Sequence, residues 1–157
     1  MKTIFYALAM TGASLSAWAV GPNTDRPELT IYEVKFAEEG ELEAQLKNTV
    51  ATYIENFLER DYEEMKSVLH RTFTNQGLNN DGKMTPLQNA EDLKNLMTGQ
   101  EVYAPDRQNN VITITGITEN TASVYLETGT EVARWKEYIT LEKVGDDWKV
   151  KKVFWSY

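Results

Sequence analysis

The stretch Arg134–Tyr157, RWKEYITLEKVGDDWKVKKVFWSY, decides the fold. Its two runs of alternating apolar and polar residues flank Gly145-Asp146, the pattern of two antiparallel strands joined by a tight turn. With the turn there, opposed positions keep a constant sum, so Leu141 is set against Val150, Ile139 against Lys152 and Glu137 against Phe154. One face of this hairpin carries Trp135, Glu137, Ile139, Leu141, Trp148, Val150, Lys152 and Phe154. The opposite face carries Arg134, Lys136, Tyr138, Thr140, Glu142, Lys149, Lys151, Val153, Trp155 and Tyr157. The first face is the more apolar and is expected to meet the rest of the fold, turning Lys136, Lys149 and Lys151 away from it.

Upstream, the period of two continues through NVITITGI and TASVYLET, with turn residues at Thr118-Glu119-Asn120 and at Gly129. The hairpin is thereby the end of an antiparallel meander. Before Asn110 the period changes. From Glu41 onward Leu46, Val50, Tyr53, Ile54 and Phe57 share one helical face while Lys47, Glu55 and Glu59 share the other. Asp61, with Glu64 three residues on, caps a second helix whose apolar stripe is Met65, Val68 and Leu69 and which His70 closes. Thr85-Pro86-Leu87-Gln88 has the form of a third helix start, leading through Leu93 and Leu96 to a stop near Gly99. Three helices followed by a meander predict an α+β domain, with the helices laid on one face of a curved antiparallel sheet.

The N-terminus reads MKTIFYALAMTGASLSAWA: one Lys, an apolar run and small residues ending at Ala17-Trp18-Ala19. That is the pattern of a secretory signal cleaved after Ala19, and the run is too short and too interrupted to span a bilayer. Residues 1–19 are therefore expected to be a signal peptide, 20–40 a tether in which LTIYEVKF permits a short strand, and 41–157 one domain. The expected location is secreted or periplasmic, with no membrane attachment after cleavage. The chain has 157 residues with 16 Lys plus Arg against 24 Asp plus Glu, a net charge of -8 that disfavours nucleic acid and anionic membrane surfaces as partners. It has no Cys, so disulfides, thiolate chemistry and lipidation at a Cys are excluded.

Two charges fall on the inward face. Glu137 and Lys152 lie diagonally across the hairpin among Trp135, Ile139 and Phe154, either as a structural ion pair or as the polar anchor of a pocket. As an anchor, the carboxyl would be raised in pKa by desolvation and lowered by Lys152. His70, the one histidine, is a second acid/base candidate, and Phe73 and Gln76 follow it toward the same cavity. No metal site is expected from one His, no Cys and no clustered carboxylates. No cofactor is expected either, since phosphate-binding and dinucleotide-binding glycine motifs are missing from the sequence.

The order of elements and several strings resemble the nuclear transport factor 2-like superfamily, and within it the putative lumazine-binding family. The strings are YIENFLERD at Tyr53–Asp61, Leu69-His70, the turn Asp81–Lys83, and WKEYITLEKVGDDWKV at Trp135–Val150, and the resemblance runs from about Leu46 to Phe154. Glu137 stands where that family usually has Asp, and Trp135 where it often has Phe. The resemblance implies a cone-shaped α+β barrel around a helix-lined pocket, often in a homodimer. It implies no single activity, since ketosteroid isomerase and scytalone dehydratase share the fold with members that only bind.

Two functions follow as expectations. One is an exported small-molecule-binding domain with an apolar, aromatic-lined pocket formed by Tyr53, Phe57, Phe73, Gln76, Trp135, Glu137, Lys152 and Phe154. The other is a cofactor-free isomerase or dehydratase with Glu137 or His70 as base and Tyr53 or Tyr138 as proton donor. On the back of the sheet Tyr125, Tyr138, Val153 and Trp155 would form an apolar patch, the expected homodimer interface.

Overall fold

The computed structural model describes the backbone from residue 31 and the side chains from residue 40 onward. The expected signal peptide and most of the expected tether lie outside the described residues. The sheet and its core lie within one compact unit, Glu38–Tyr157. Among the described residues no helix is long and apolar enough to cross a membrane.

The long helix α1, Ile31–Glu59, starts earlier than its apolar stripe does, so the expected strand in LTIYEVKF is helical from Ile31 on. Leu46, Val50, Tyr53, Ile54 and Leu58 recur at helical spacing and are all buried. Burying each of these side chains is worth about 1.5–3 kcal/mol. The helix ends at Arg60, held at φ 66, and the amide of Asp61 donates to the Asn56 carbonyl at 3.0 Å, closing the last turn. Arg60 offsets the strain of that conformation by donating to the Phe57 and Glu101 carbonyls. Helix α2, Tyr62–Ser67, has the expected cap: the Asp61 carboxylate accepts from the Glu64 amide at 3.1 Å.

Here the structure departs from the sequence reading. Leu69 and His70 do not finish α2 but begin a strand, β1, Leu69–Leu78. Two helices therefore precede β1, and the third follows it. That third helix, α3, spans Ala90–Met97 and starts four residues later than expected, capped by Asn89 rather than Thr85, because Asn89 and Asp92 form a complete capping box. Thr85–Gln88 instead runs extended beside β1, with the Thr85 amide donating to the Gly77 carbonyl and Asn75 and Gln88 exchanging backbone hydrogen bonds, all at 2.8 Å. Backbone groups on this stretch of β1 would otherwise be left open at the sheet edge.

The meander forms as expected: β2 Val111–Ile117, β3 Thr121–Gly129, β4 Arg134–Val144 and β5 Asp147–Ser156. The sheet order is β1-β5-β4-β3-β2, antiparallel except that β1 runs parallel to β5. The curved sheet and the three helices make an α+β fold. Val124, Leu126, Ile139, Leu141, Trp148, Val150 and Val153 form the sheet side of a core whose helix side includes Leu46, Ile54, Met65, Leu93 and Met97.

The β4–β5 register holds as expected from Val144↔Asp147 to Leu141↔Val150 and then slips by one residue. Beyond the slip Thr140 faces Lys152, Ile139 faces Val153, Tyr138 faces Phe154 and Glu137 faces Trp155. The extra residue is a β-bulge, and it reverses the facing of every β5 side chain beyond it. Val153 and Trp155 therefore point toward the helices, whereas Lys152 and Phe154 are turned to the outer face, contrary to the constant-sum reading.

Candidate functional site

Beyond the bulge, the inner sheet face and the helices α1 and α3 enclose a cavity of about 330 Å³. Tyr53 and Phe57 of α1 form one wall, Leu93 and Leu96 of α3 a second, and Trp135, Trp155 and Tyr157 the sheet side. Asn75, Thr85, Gln88 and Glu137 supply the remaining polar lining.

Glu137 is the decisive group. It lies on β4 between Leu126 of β3 and Trp155 of β5 and is 3% exposed. Trp135, two residues away on the same face, donates its indole Nε1–H to Glu137 Oε1 at 2.8 Å. Oε2 is buried without a hydrogen-bond partner among the described residues. The Tyr53 hydroxyl faces the same carboxyl and, like the Trp135 indole, favours its ionised form, but it does not complete a hydrogen bond to Oε2. Desolvation outweighs both and raises the Glu137 pKa to about 7. Burial first, and the Glu137 carboxylate second, raise the Tyr53 phenol well above its usual range, so it remains a donor at neutral pH.

Asn75 is a second polar group in the wall, 5% exposed on the inner face of β1. Its Nδ2 donates to Gln88 Oε1 at 2.9 Å, while its Oδ1 is buried and unpartnered among the described residues. Gly77, two residues on, leaves space for the Trp155 indole: a Cβ at residue 77 would overlap the ring.

Four of the expected pocket residues, Tyr53, Phe57, Trp135 and Glu137, come together here. The other four do not line the cavity. Phe73 is 3% exposed in the core, its ring 6.4 Å from that of Tyr53. Gln76 alternates to the other face of β1, where its side chain donates to the Thr85 carbonyl at 2.9 Å. Lys152 and Phe154 are displaced by the bulge, so the Glu137–Lys152 pair does not exist. His70 lies in a separate surface groove with Arg71, Glu142, Lys143 and Lys149, its Nδ1 accepting from the Thr72 amide at 3.1 Å. Tyr138, 54% exposed, packs against Tyr125 on the outer face, the two rings tilted with centroids 5.3 Å apart. Of the expected interface residues, Val153 and Trp155 face inward instead, and Phe154 takes their place opposite Tyr138.

Asn75, Thr85, Gln88, Leu93, Leu96, Trp155 and Tyr157 also line the cavity and were not expected from the sequence. One signal for Trp155 is present: Val150 and Val153 are both buried yet three residues apart, a spacing that strict alternation cannot satisfy. Among the described residues no group of three or more His, Cys, Asp or Glu is placed to hold a metal ion.

A curved sheet closed over helices, with its cavity at the open end, defines a class that solved structures share. An NTF2-like protein of unknown function from Shewanella baltica has a TM-score of 0.65 at 19% identity, covering 74% of this chain and 94% of that one. The association domain of C. elegans CaMKII has a TM-score of 0.58 at 13% identity, covering 76% of this chain and 98% of that one. A putative scytalone dehydratase from Novosphingobium aromaticivorans has a TM-score of 0.55 at 13% identity, covering 80% and 87%. At these identities the likeness is one of fold alone. Comparison with curated protein sequences gives no match. Residues 41–156 match the model of the family described as "Putative lumazine-binding", and the chain belongs to that family.

Proposed function

We propose that this chain is an exported small-molecule-binding domain that holds one aromatic-bodied ligand in the cavity above Glu137. The observation that carries the reading is the cavity itself: about 330 Å³, walled by aromatic and aliphatic side chains, with one buried carboxyl at its inner side. The family's description supports the same reading. Catalysis with Glu137 as base is the weaker reading, because His70 and Tyr138 both lie away from the cavity and leave Tyr53 as the sole named proton donor beside it.

Calorimetric titration with 2-naphthalenemethanol, a neutral aromatic probe, tests the cavity. A saturable one-to-one isotherm that weakens in Trp155→Ala supports the reading, and heats that never saturate count against it. Export rests on the sequence of residues 1–19. N-terminal sequencing of protein from the cell envelope or medium should start at Val20, and an intact Met1 would refute cleavage. The domain is further proposed to form a homodimer through the outer sheet face around Tyr125, Tyr138 and Phe154.

A further inference from the structure

The cavity has an uneven polar inventory. Glu137 is the single charged residue in its lining, and neither Lys, Arg nor His takes part in any wall among the described residues. Two acceptor atoms, Asn75 Oδ1 and Glu137 Oε2, the latter beside the Tyr53 hydroxyl but not hydrogen-bonded to it, are buried there without a hydrogen-bond partner among the described residues. Unpaired buried acceptors cost roughly 1–3 kcal/mol each, and more when the group is charged. Their natural complement is a ligand rich in N–H donors. The lining includes the aromatic rings of Tyr53, Trp135 and Trp155, whose faces attract cations and repel anions, whereas the Phe57 ring already carries the Arg60 guanidinium 5.3 Å from its centroid. The chain's net charge of -8 acts in the same direction at longer range.

Resting on the reading of this cavity as a ligand site, we infer that it selects a cationic amine on an aromatic or alicyclic body, with the ammonium N–H groups donating to Glu137 Oε2 and Asn75 Oδ1. An anionic ligand is excluded by the same inventory. A carboxylate or phosphate would be buried beside Glu137 with no countercharge in the lining. A neutral ligand of the same shape fits the walls but leaves the carboxyl without its counterion.

The pH dependence follows. The groups facing Glu137 are the Tyr53 phenol from α1, the Trp135 indole from β4 and, across the ladder, Leu126 of β3 and Trp155 of β5; none of them is charged at neutral pH. From β1, the segment beside it and α3 the lining contributes Asn75, Thr85, Gln88, Leu93 and Leu96, which do not titrate, and beyond β5 it contributes the Tyr157 phenol. Ionisation of Glu137 alone therefore prepares the site for a cation, and amine binding tightens as pH rises through about 7.

The experiment compares three probes of one shape, 2-naphthylmethylamine, 2-naphthalenemethanol and 2-naphthoate, by calorimetry on the wild-type chain and on Glu137→Gln. At about pH 8 the amine should bind at least about tenfold more tightly than the alcohol, with 2-naphthoate the weakest. The preference should shrink to about twofold or less near pH 5.5, and at both pH values in Glu137→Gln. Equal binding of amine and alcohol at pH 8, or a preference that persists in Glu137→Gln, overturns the cation inference while leaving the cavity as a ligand site. Failure of all three probes, the neutral alcohol included, overturns both. The wild-type pH series stands without the variant.

Discussion

Replacing Glu137 by Gln should stabilise the protein, and by an amount that depends on pH. In the folded chain the carboxyl has its pKa raised from 4.5 to about 7, chiefly by burial. Below pH 4.5 the group is protonated in both the folded and the unfolded chain and contributes nothing to the difference. As pH rises, the unfolded chain ionises first while the folded one keeps its proton, so stability is lost across the window from 4.5 to about 7 and stays lost above it. At about 1.4 kcal/mol for each tenfold change in acidity, the loss is about 3 kcal/mol. Gln cannot ionise, and its carbonyl can still accept from the Trp135 indole. The assay is urea unfolding of wild type and Glu137→Gln at a series of pH values, followed by circular dichroism. Carboxylates elsewhere titrate alike in both proteins and cancel in the difference. The variant's advantage should be near zero at about pH 4 and about 3 kcal/mol at about pH 8. A difference that stays flat over this range would mean that Glu137 is solvated and that the cavity reading is wrong.

Three further outcomes are expected. Gly77→Ala should cost on the order of 1–3 kcal/mol in thermal or urea unfolding, because the new methyl overlaps both the Trp155 indole and the Trp155 backbone carbonyl; an unchanged melt would show that β1 and β5 do not approach this closely at Gly77. Lys152→Met should change stability by no more than about 0.5 kcal/mol, since the side chain is exposed; a loss of several kcal/mol in the same melts would reinstate an inward ion pair with Glu137. Tyr138→Glu should shift sedimentation toward monomer by placing a charge on the outer aromatic patch, and a wild-type chain that is already monomeric at high concentration would refute the interface.

Most of the fold was legible where one physical signal dominated. The stripe of α1 and the alternation of β3 and β4 follow from burial on one face, and the structure returns them, as it returns β5 up to Val150. Strand β1 was not legible, because its inward face ends in Asn75 and Gly77 rather than in large apolar residues and its partner, β5, is more than seventy residues away. Pro86 misled for a related reason: its fixed φ suits a helix start and an extended segment equally, and the open edge of β1 decided for the latter. Within the site, Glu137 and Trp135 were legible from parity because they precede the bulge on the continuous strand β4. Trp155 was not, since the run VKKVFW at Val150–Trp155 gives no indication of the slip except the spacing of its two valines.

The bulge in β5 also changes what kind of mutation remodels the cavity. Removing Lys151 or Lys152 would take out the surplus residue and leave Val153 and Trp155 facing inward, straightening the strand without altering its inner chemistry. Adding one residue just after Val153 would turn the indole of Trp155 to the outside, though no side chain had been exchanged. The character of this wall is thus stored in the number of residues between Val150 and Trp155 as much as in their identity. Insertions and deletions, more than substitutions, are the steps by which such a site would acquire a different ligand.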